Sequence, residues 1–210
     1  MSKKALRRIS RKEQKIVRER SHKLLCNVQS KLRKDGYRFN WIIVGSGSLG
    51  TMIEDSDGTY DLDYQILLSK RSKCIKDKYL PKRIKDDFFD AFSKSKNKDE
   101  KMENSTTAIT LKNDCSNGKR FSVDFVIINE ATNEIIRRNG ENQYTWNMLP
   151  SRFKGAYRYF KQLNHNEKKI IIETVVERKC EEKRKPNGKS SSEIMIEEIN
   201  NYAYKKGDNL

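Results

Sequence analysis

The chain has 210 residues, 35% of them hydrophobic and 35% charged, with a formal net charge of +16. That length suits one domain with a good core, or one domain with a helical extension, and no run approaches the roughly twenty apolar residues that span a bilayer. The basic N-terminus lacks the apolar segment and cleavage site of a secretory signal. Cys26, Cys74, Cys115 and Cys180 are scattered with no C-x-x-C pair, so reduced structural thiols in a cytoplasm are expected, not a zinc site. The charge crowds into residues 3–38, 70–85 and 178–189. An excess of this sign favours polyanions such as RNA, DNA or nucleotides, against the plainer alternative of a solvated basic surface.

Ile16, Val17, Leu24, Leu25, Val28 and Leu32 recur at helical spacing between Ser10 and about Lys34. They predict an amphipathic helix capped by Ser10 and ended by Asp35-Gly36. "RFNWIIV" reads as a buried strand stopped by the loop "GSGSLGT", and "YDLDYQILL" as a second strand entered through an Asp57-Gly58 turn. Residues 77–95 carry Leu80, Ile84, Phe88, Phe89 and Phe92 on one helical face. "SKSKNKDEKMEN" reads as a mobile loop, and "STTAITLKNDCSNGKRFSVDFVII" as a hairpin turning at Asn117-Gly118. A short apolar piece at Glu134–Ile136 precedes helices expected at Ser151–Leu163, Asn166–Lys183 and Ser192–Tyr204. The order implies an α+β fold with a small mixed sheet flanked by helices, not a regular strand–helix alternation. The expected organisation is a basic N-terminal helix (1–37) packed on a core (38–135), then a C-terminal helical region (136–210).

Gly45, Gly47 and Gly50 spell the dinucleotide fingerprint G-x-G-x-x-G. That reading requires a full helix after the glycines, and "TMIEDSDGTY" leaves room for about one turn. Asp61 and Asp63 also stand at the start of their strand, where a ribose-binding acid would sit at its end. A Walker A loop is excluded because Thr51 occupies the lysine position. In a strand, however, residues i and i+2 project from one face, so Asp61 and Asp63 present paired carboxylates. Asp124 is the charged residue in the otherwise apolar "FSVDFVII" and requires a metal or a cationic partner. Three carboxylates suit Mg²⁺ or Mn²⁺ in two-metal phosphoryl chemistry. Gly45, Ser46, Gly47, Ser48, Gly50 and Thr51 can supply backbone N–H groups and hydroxyls to phosphates.

A hydrophobic strand, Gly-Ser, a spacer, acid-hydrophobic-acid and a third acid on a later strand together resemble the polymerase β-type nucleotidyltransferase superfamily. This group includes CCA-adding enzymes, poly(A) polymerases, oligoadenylate synthetases, cyclic GMP–AMP synthase-like enzymes and small bacterial antitoxin-type transferases. The match covers roughly residues 38–130, and "FSVDFVII" with the trailing helices leans toward the synthetase side. Gly45-Ser46 fits the G-S-x-x-x-G-T variant, whereas Gly47-Ser48 fits the shorter spacing to the acids, so either serine is a candidate phosphate ligand. The resemblance implies that Asp61 and Asp63 bind the metals. It also implies that Asp124 ligates one metal and helps to deprotonate an acceptor hydroxyl.

The implied activity is metal-dependent transfer of an NMP group from an NTP, such as ATP, to an acceptor hydroxyl, with release of pyrophosphate. The alternatives are a catalytically silent module binding RNA or a partner protein, and a toxin–antitoxin component. Arg152, Lys154, Arg158 and Lys161 lie where such enzymes place triphosphate-binding lysines, although each also reads as an ordinary helix surface. Tyr144, Trp146, Phe153, Tyr157 and Phe160 are candidates for base stacking or, more simply, for the core. Glu54, Asp55 and Asp57 read as a solvated acidic turn before a second cation site, and His165 as structural.

Overall fold

The computed structural model describes residues 6–55, 58–114, 120–149, 154–183, 185 and 187–208. Helix α1 (Arg11–Lys34) starts from an extended Ser10 whose hydroxyl accepts the Glu13 N–H, while the Glu13 carboxylate accepts the Ser10 N–H at 3.0 Å. This reciprocal pair satisfies two donors that a helix start otherwise strands. The helix ends at Asp35, and Gly36 follows with φ +82°. The chain continues through β1 (Phe39–Val44), α2 (Gly45–Leu49), β2 (Thr59–Leu68), α3 (Lys73–Lys76) and α4 (Pro81–Ser93). Then come β3 (Glu100–Asn104), β4 (Ala108–Asp114), β5 (Arg120–Asn129), β6 (Glu134–Arg138) and β7 (Tyr144–Met148). The chain closes with α5 (Lys154–Gln162), α6 (His165–Glu182) and α7 (Ser191–Lys206). No described helix is long and apolar enough to cross a membrane.

The seven strands form one mixed sheet in the order β1-β2-β5-β4-β3, with β6 pairing β5 and β7. The β1–β2 pair is antiparallel, which removes the parallel crossover that a dinucleotide fold requires, and β2–β5 is parallel. Alternation places Leu62, Tyr64 and Ile66 of β2 and Val123, Phe125 and Ile127 of β5 in the core. Helix α1 contributes Val17, Leu24, Leu25 and Val28, and α4 contributes Ile84, Phe88 and Phe92. Phe92 stacks on Phe125 with ring centroids 4.5 Å apart, and Phe39 meets Phe88 at 5.0 Å. The α+β class and the mixed, helix-flanked sheet are therefore as the sequence predicts.

Three elements differ from the sequence expectation. The helix expected over 77–95 begins at Pro81, because proline suits the first helical position and holds Leu80 extended at ψ 139°. The "mobile loop" contains β3, whose Glu100 is buried against Arg20 of α1, with a 2.6 Å bond from Arg20 Nε. Residues 134–148, expected to be largely helical from 136 on, form β6 and β7 instead. Alternating side chains and ladder pairing carry this ribbon, with Ile136 buried opposite Trp146. The Asp57-Gly58 turn begins in, and the Asn117-Gly118 turn falls within, segments outside the described residues.

The chain resolves into two compact units. One joins Ser10–Val44 to Gly58–Leu149 and contains the sheet with α1, α3 and α4. The other joins Met1–Ile9, Gly45–Asp57 and Pro150–Leu210. In this second unit, Phe160, Leu163, Ile171, Val175, Ile194 and Ile199 form a core between α5, α6 and α7, and Leu49 of α2 packs against it. Capping boxes at Asn164 with Glu167 and at Ser190 with Glu193 start α6 and α7, and Gly207 at φ +78° ends the last helix.

Candidate active site

On β2, Tyr60, Leu62 and Tyr64 point into the core, so Asp61 and Asp63 occupy the opposite face, Asp61 exposed and Asp63 half-buried. The parallel register with β5 sets Asp63 opposite Asp124 and Asp61 opposite Ser122. Val44 pairs with Asp63, and Thr110 pairs with Asp124. Val44, Asp63, Asp124 and Thr110 thus form one row across four strands, each step about 5 Å. The Ser122 hydroxyl donates to Asp61 Oδ1, and the Thr110 hydroxyl donates to Asp124 Oδ1 at 2.6 Å.

Burial pushes the Asp124 carboxyl above its ordinary value; the Thr110 bond opposes this, the negative charge of Asp61 adds to it, and Lys112 opposes it. Among the described residues, no three His, Cys, Asp or Glu side chains converge into a group able to hold a metal. The acids are united by strand register and by a shared face.

The glycine-serine segment belongs to the second unit. Gly45 at φ +57° enters α2 and Gly50 at φ +70° leaves it, both in left-handed backbone that favours glycine. The Ser48 hydroxyl donates to the Gly45 carbonyl at 2.9 Å. The Ser46 carbonyl accepts the Thr51 N–H at 3.0 Å, while the Ser46 hydroxyl makes no hydrogen bond with a described residue. Gly47 and Thr51 are buried.

The segment after α2 is gripped by two elements of its own unit. Arg8 Nε donates to the Gly50 carbonyl at 3.0 Å, the Ile9 N–H to the Met52 carbonyl at 3.0 Å, and Arg7 pairs with Glu54 at 2.6 Å. From α6, Lys179 Nζ donates to the Thr51 carbonyl at 2.8 Å, and Lys183 pairs with Asp55. Glu54 and Asp55 are therefore ion-paired, and Glu54 is buried, which corrects the expected solvated acidic turn; Asp57 lies outside the described residues. Sequence reasoning missed Arg8, Lys179 and Lys183. A signal existed for Lys179, which continues the buried stripe of Ile171 and Val175 at four-residue spacing.

The remaining candidates separate clearly. Tyr157 and Phe160 belong to the helical core. Tyr144 and Trp146 are half-buried on β7, where the Tyr144 hydroxyl accepts a 3.4 Å bond from Asn104 Nδ2. Arg158 and Lys161 are exposed on α5, and His165 is the exposed first residue of α6. Arg152, Phe153 and the Lys154 side chain lie outside the described residues.

No protein-family model matches the sequence, and no curated protein matches it. Solved structures do match. Escherichia coli DncV in its 3'-deoxy GTP bound form aligns with a TM-score of 0.58 at 12% identity, over 94% of this chain and 69% of that one. CdnC of E. coli MS115-1, in a complex with HORMA-deltaN, aligns at 0.57 and 16% identity over 96% and 62%. Vibrio cholerae DncV in its 3'-deoxy GTP bound form aligns at 0.55 and 16% over 80% of this chain, which spans 45% of that one. These neighbours are polymerase β-type nucleotidyltransferases, and identity this low speaks for architecture alone. The chain has the nucleotidyltransferase fold.

Proposed function

We propose that the protein is a nucleotidyltransferase that moves an NMP group from an NTP to an acceptor hydroxyl and releases pyrophosphate. The observation that carries this reading is the register of Asp63 with Asp124, with Asp61 two residues away on the same face. The fold supports it, as do neighbours described in GTP, 3'-deoxy GTP and 3'-deoxy ATP bound forms.

Asp61, Asp63 and Asp124 would hold Mg²⁺ or Mn²⁺, which supplies charge stabilisation at the attacking and leaving oxygens. Asp61 and Asp63 orient the triphosphate side, and Asp124 accepts the proton of the acceptor hydroxyl. Burial raises its carboxyl, in the direction that suits a proton acceptor. Within the glycine-serine segment, Ser46 is the serine that reaches phosphate, because the Ser48 hydroxyl is already committed to Gly45. Lys161, exposed on α5, is a second phosphate contact. The acceptor hydroxyl belongs to a nucleotide, an RNA end, a small molecule or a protein.

Incubation with Mg²⁺ or Mn²⁺ and NTPs labelled at the α-phosphate tests the reading. Label should pass to an acceptor with wild-type protein and not with Asp61→Asn/Asp63→Asn. The second reading, a silent module of the same fold that binds RNA or a partner protein, draws on the net charge of +16 and the small size of the chain. It predicts binding without turnover.

A further inference from the structure

A second feature of the sheet unit lies at the far end of the same strands. A cavity of about 740 Å³ is lined by Gly36, Arg38, Arg71, Lys73 and Lys76. It sits where β1 begins and β2 ends, since Phe39 pairs with Leu68, whereas the carboxylate row lies at the Val44–Asp63 pair. Five residues separate these levels, about 17 Å at strand rise. The two places are distinct.

The walls of the cavity are fixed to each other. The Lys73 N–H donates to the Gly36 carbonyl at 2.9 Å, the Arg38 N–H to the Ser72 hydroxyl at 3.1 Å, and the Ser69 N–H to the Arg38 carbonyl at 2.9 Å. Ser72 is fully buried. A Cβ on Gly36 would come within 2.8 Å of Lys73 Cβ, so glycine permits this approach. The backbone that carries Arg38, Arg71, Lys73 and Lys76 is thereby set around one space. Lys82, Lys94 and Lys101 each pair with a carboxylate, whereas Arg38, Arg71, Lys73 and Lys76 make no ion pair with a described residue. Their side chains are exposed, so water and salt screen part of the repulsion between these like charges, and a bound anion relieves the rest.

We propose that this cavity binds a run of adjacent phosphates. The two guanidinium groups suit bidentate phosphate contacts, and the two ammonium groups supply point charges. The described lining is cationic, which suits recognition of charge. A nucleic-acid backbone and the tail of a polyphosphorylated small molecule share this chemistry. The proposal is independent of nucleotidyl transfer at the carboxylates.

Binding of inorganic tripolyphosphate and of a short single-stranded RNA is measured on the full chain, with Asp61→Asn/Asp63→Asn in every sample so that the carboxylate site turns nothing over. Arg38→Gln/Arg71→Gln/Lys73→Gln/Lys76→Gln is compared with a charge-matched control, Lys12→Gln/Lys23→Gln/Lys98→Gln/Arg137→Gln, built from exposed residues elsewhere. The cavity variant should lose about tenfold or more in affinity, and its RNA salt dependence should be shallower by about 3, at ~0.7 per phosphate contact. The control should change little. Loss for RNA alone assigns a nucleic-acid backbone, and loss extending to tripolyphosphate assigns a small polyanion as well. Equal loss in both variants, or none in either, overturns the proposal. Should the quadruple variant not fold, Arg71→Gln/Lys76→Gln carries the same comparison with about half the change in slope.

Discussion

Asp63 of β2 and Asp124 of β5 are register partners across a parallel strand pair, and both project from the face opposite the α1–α4 core. Unlike the sheet's other strand pairs, this one is parallel, so it joins distant segments of sequence at the same strand level. Asp61 stands beside them. Burial, together with the charge of Asp61, leaves Asp124 with a carboxyl that resists ionisation.

Asp124→Asn should therefore separate stability from activity. The folded-state pKa is raised above its ordinary 3.8, so the stabilising contribution is fully present below that value and is lost as pH rises through the folded value. At neutral pH the charged side chain is a cost. The variant should melt at a higher temperature than wild type at neutral pH, with the advantage shrinking as pH falls toward 4, while nucleotidyl transfer is lost. Melting curves across pH in metal-free buffer check the sign.

Ser46→Ala and Ser48→Ala should behave differently. Removing the unengaged Ser46 hydroxyl should raise the KM for NTP with little effect on the melt. Removing Ser48 breaks its bond to Gly45 and should cost about 1 kcal/mol of stability. Kinetics and denaturant titration of both variants distinguish the roles.

Glu100 should be a stability residue. Its carboxylate is fully buried, accepts the Asn97 N–H at 2.6 Å and pairs with Arg20. Glu100→Ala strands the partly buried guanidinium and should cost roughly 3–5 kcal/mol. Arg20→Met/Glu100→Leu should lose much less. Urea unfolding of wild type and the two variants measures both losses.

Lys85 is buried on α4, donates to the Ser105 carbonyl at 2.9 Å, and has its pKa lowered to about 8, chiefly by burial and then by Arg138. Between this value and the ordinary 10.5 the unfolded chain binds more protons, so stability should rise with pH from about 8. Tyr37, raised by burial and Asp87, works in the opposite sense above its ordinary 10.0. Lys85→Met should reduce the rise between pH 8 and 10, as read from denaturant midpoints, since Lys183, also lowered by burial, adds to it and the raised Cys74 thiol opposes it.

Local signals made much of this fold legible. Ser10, Glu13 and the apolar spacing of α1 wrote the helix into the chain, and the alternation of "YDLDYQILL" put Asp61 and Asp63 on one face. Long-range partners were not legible. Glu100 looks like loop polarity until Arg20, eighty residues away, neutralises it. The β6–β7 ribbon has little apolar periodicity because most of its side chains are only partly covered. Lys179 could have been noticed as a cation in an apolar stripe, but its acceptor, the Thr51 carbonyl, is a backbone atom that no residue pattern reveals.

The most direct test of the central claim is pyrophosphate release from each of the common NTPs in Mg²⁺ or Mn²⁺, comparing wild type with Asp61→Asn/Asp63→Asn and with Asp124→Asn. Metal-dependent release by wild type, lost in both variants although both remain folded, is the predicted result. Equal release by all three proteins, or no release by wild type with any NTP across nucleotide, RNA and protein acceptors, would contradict it.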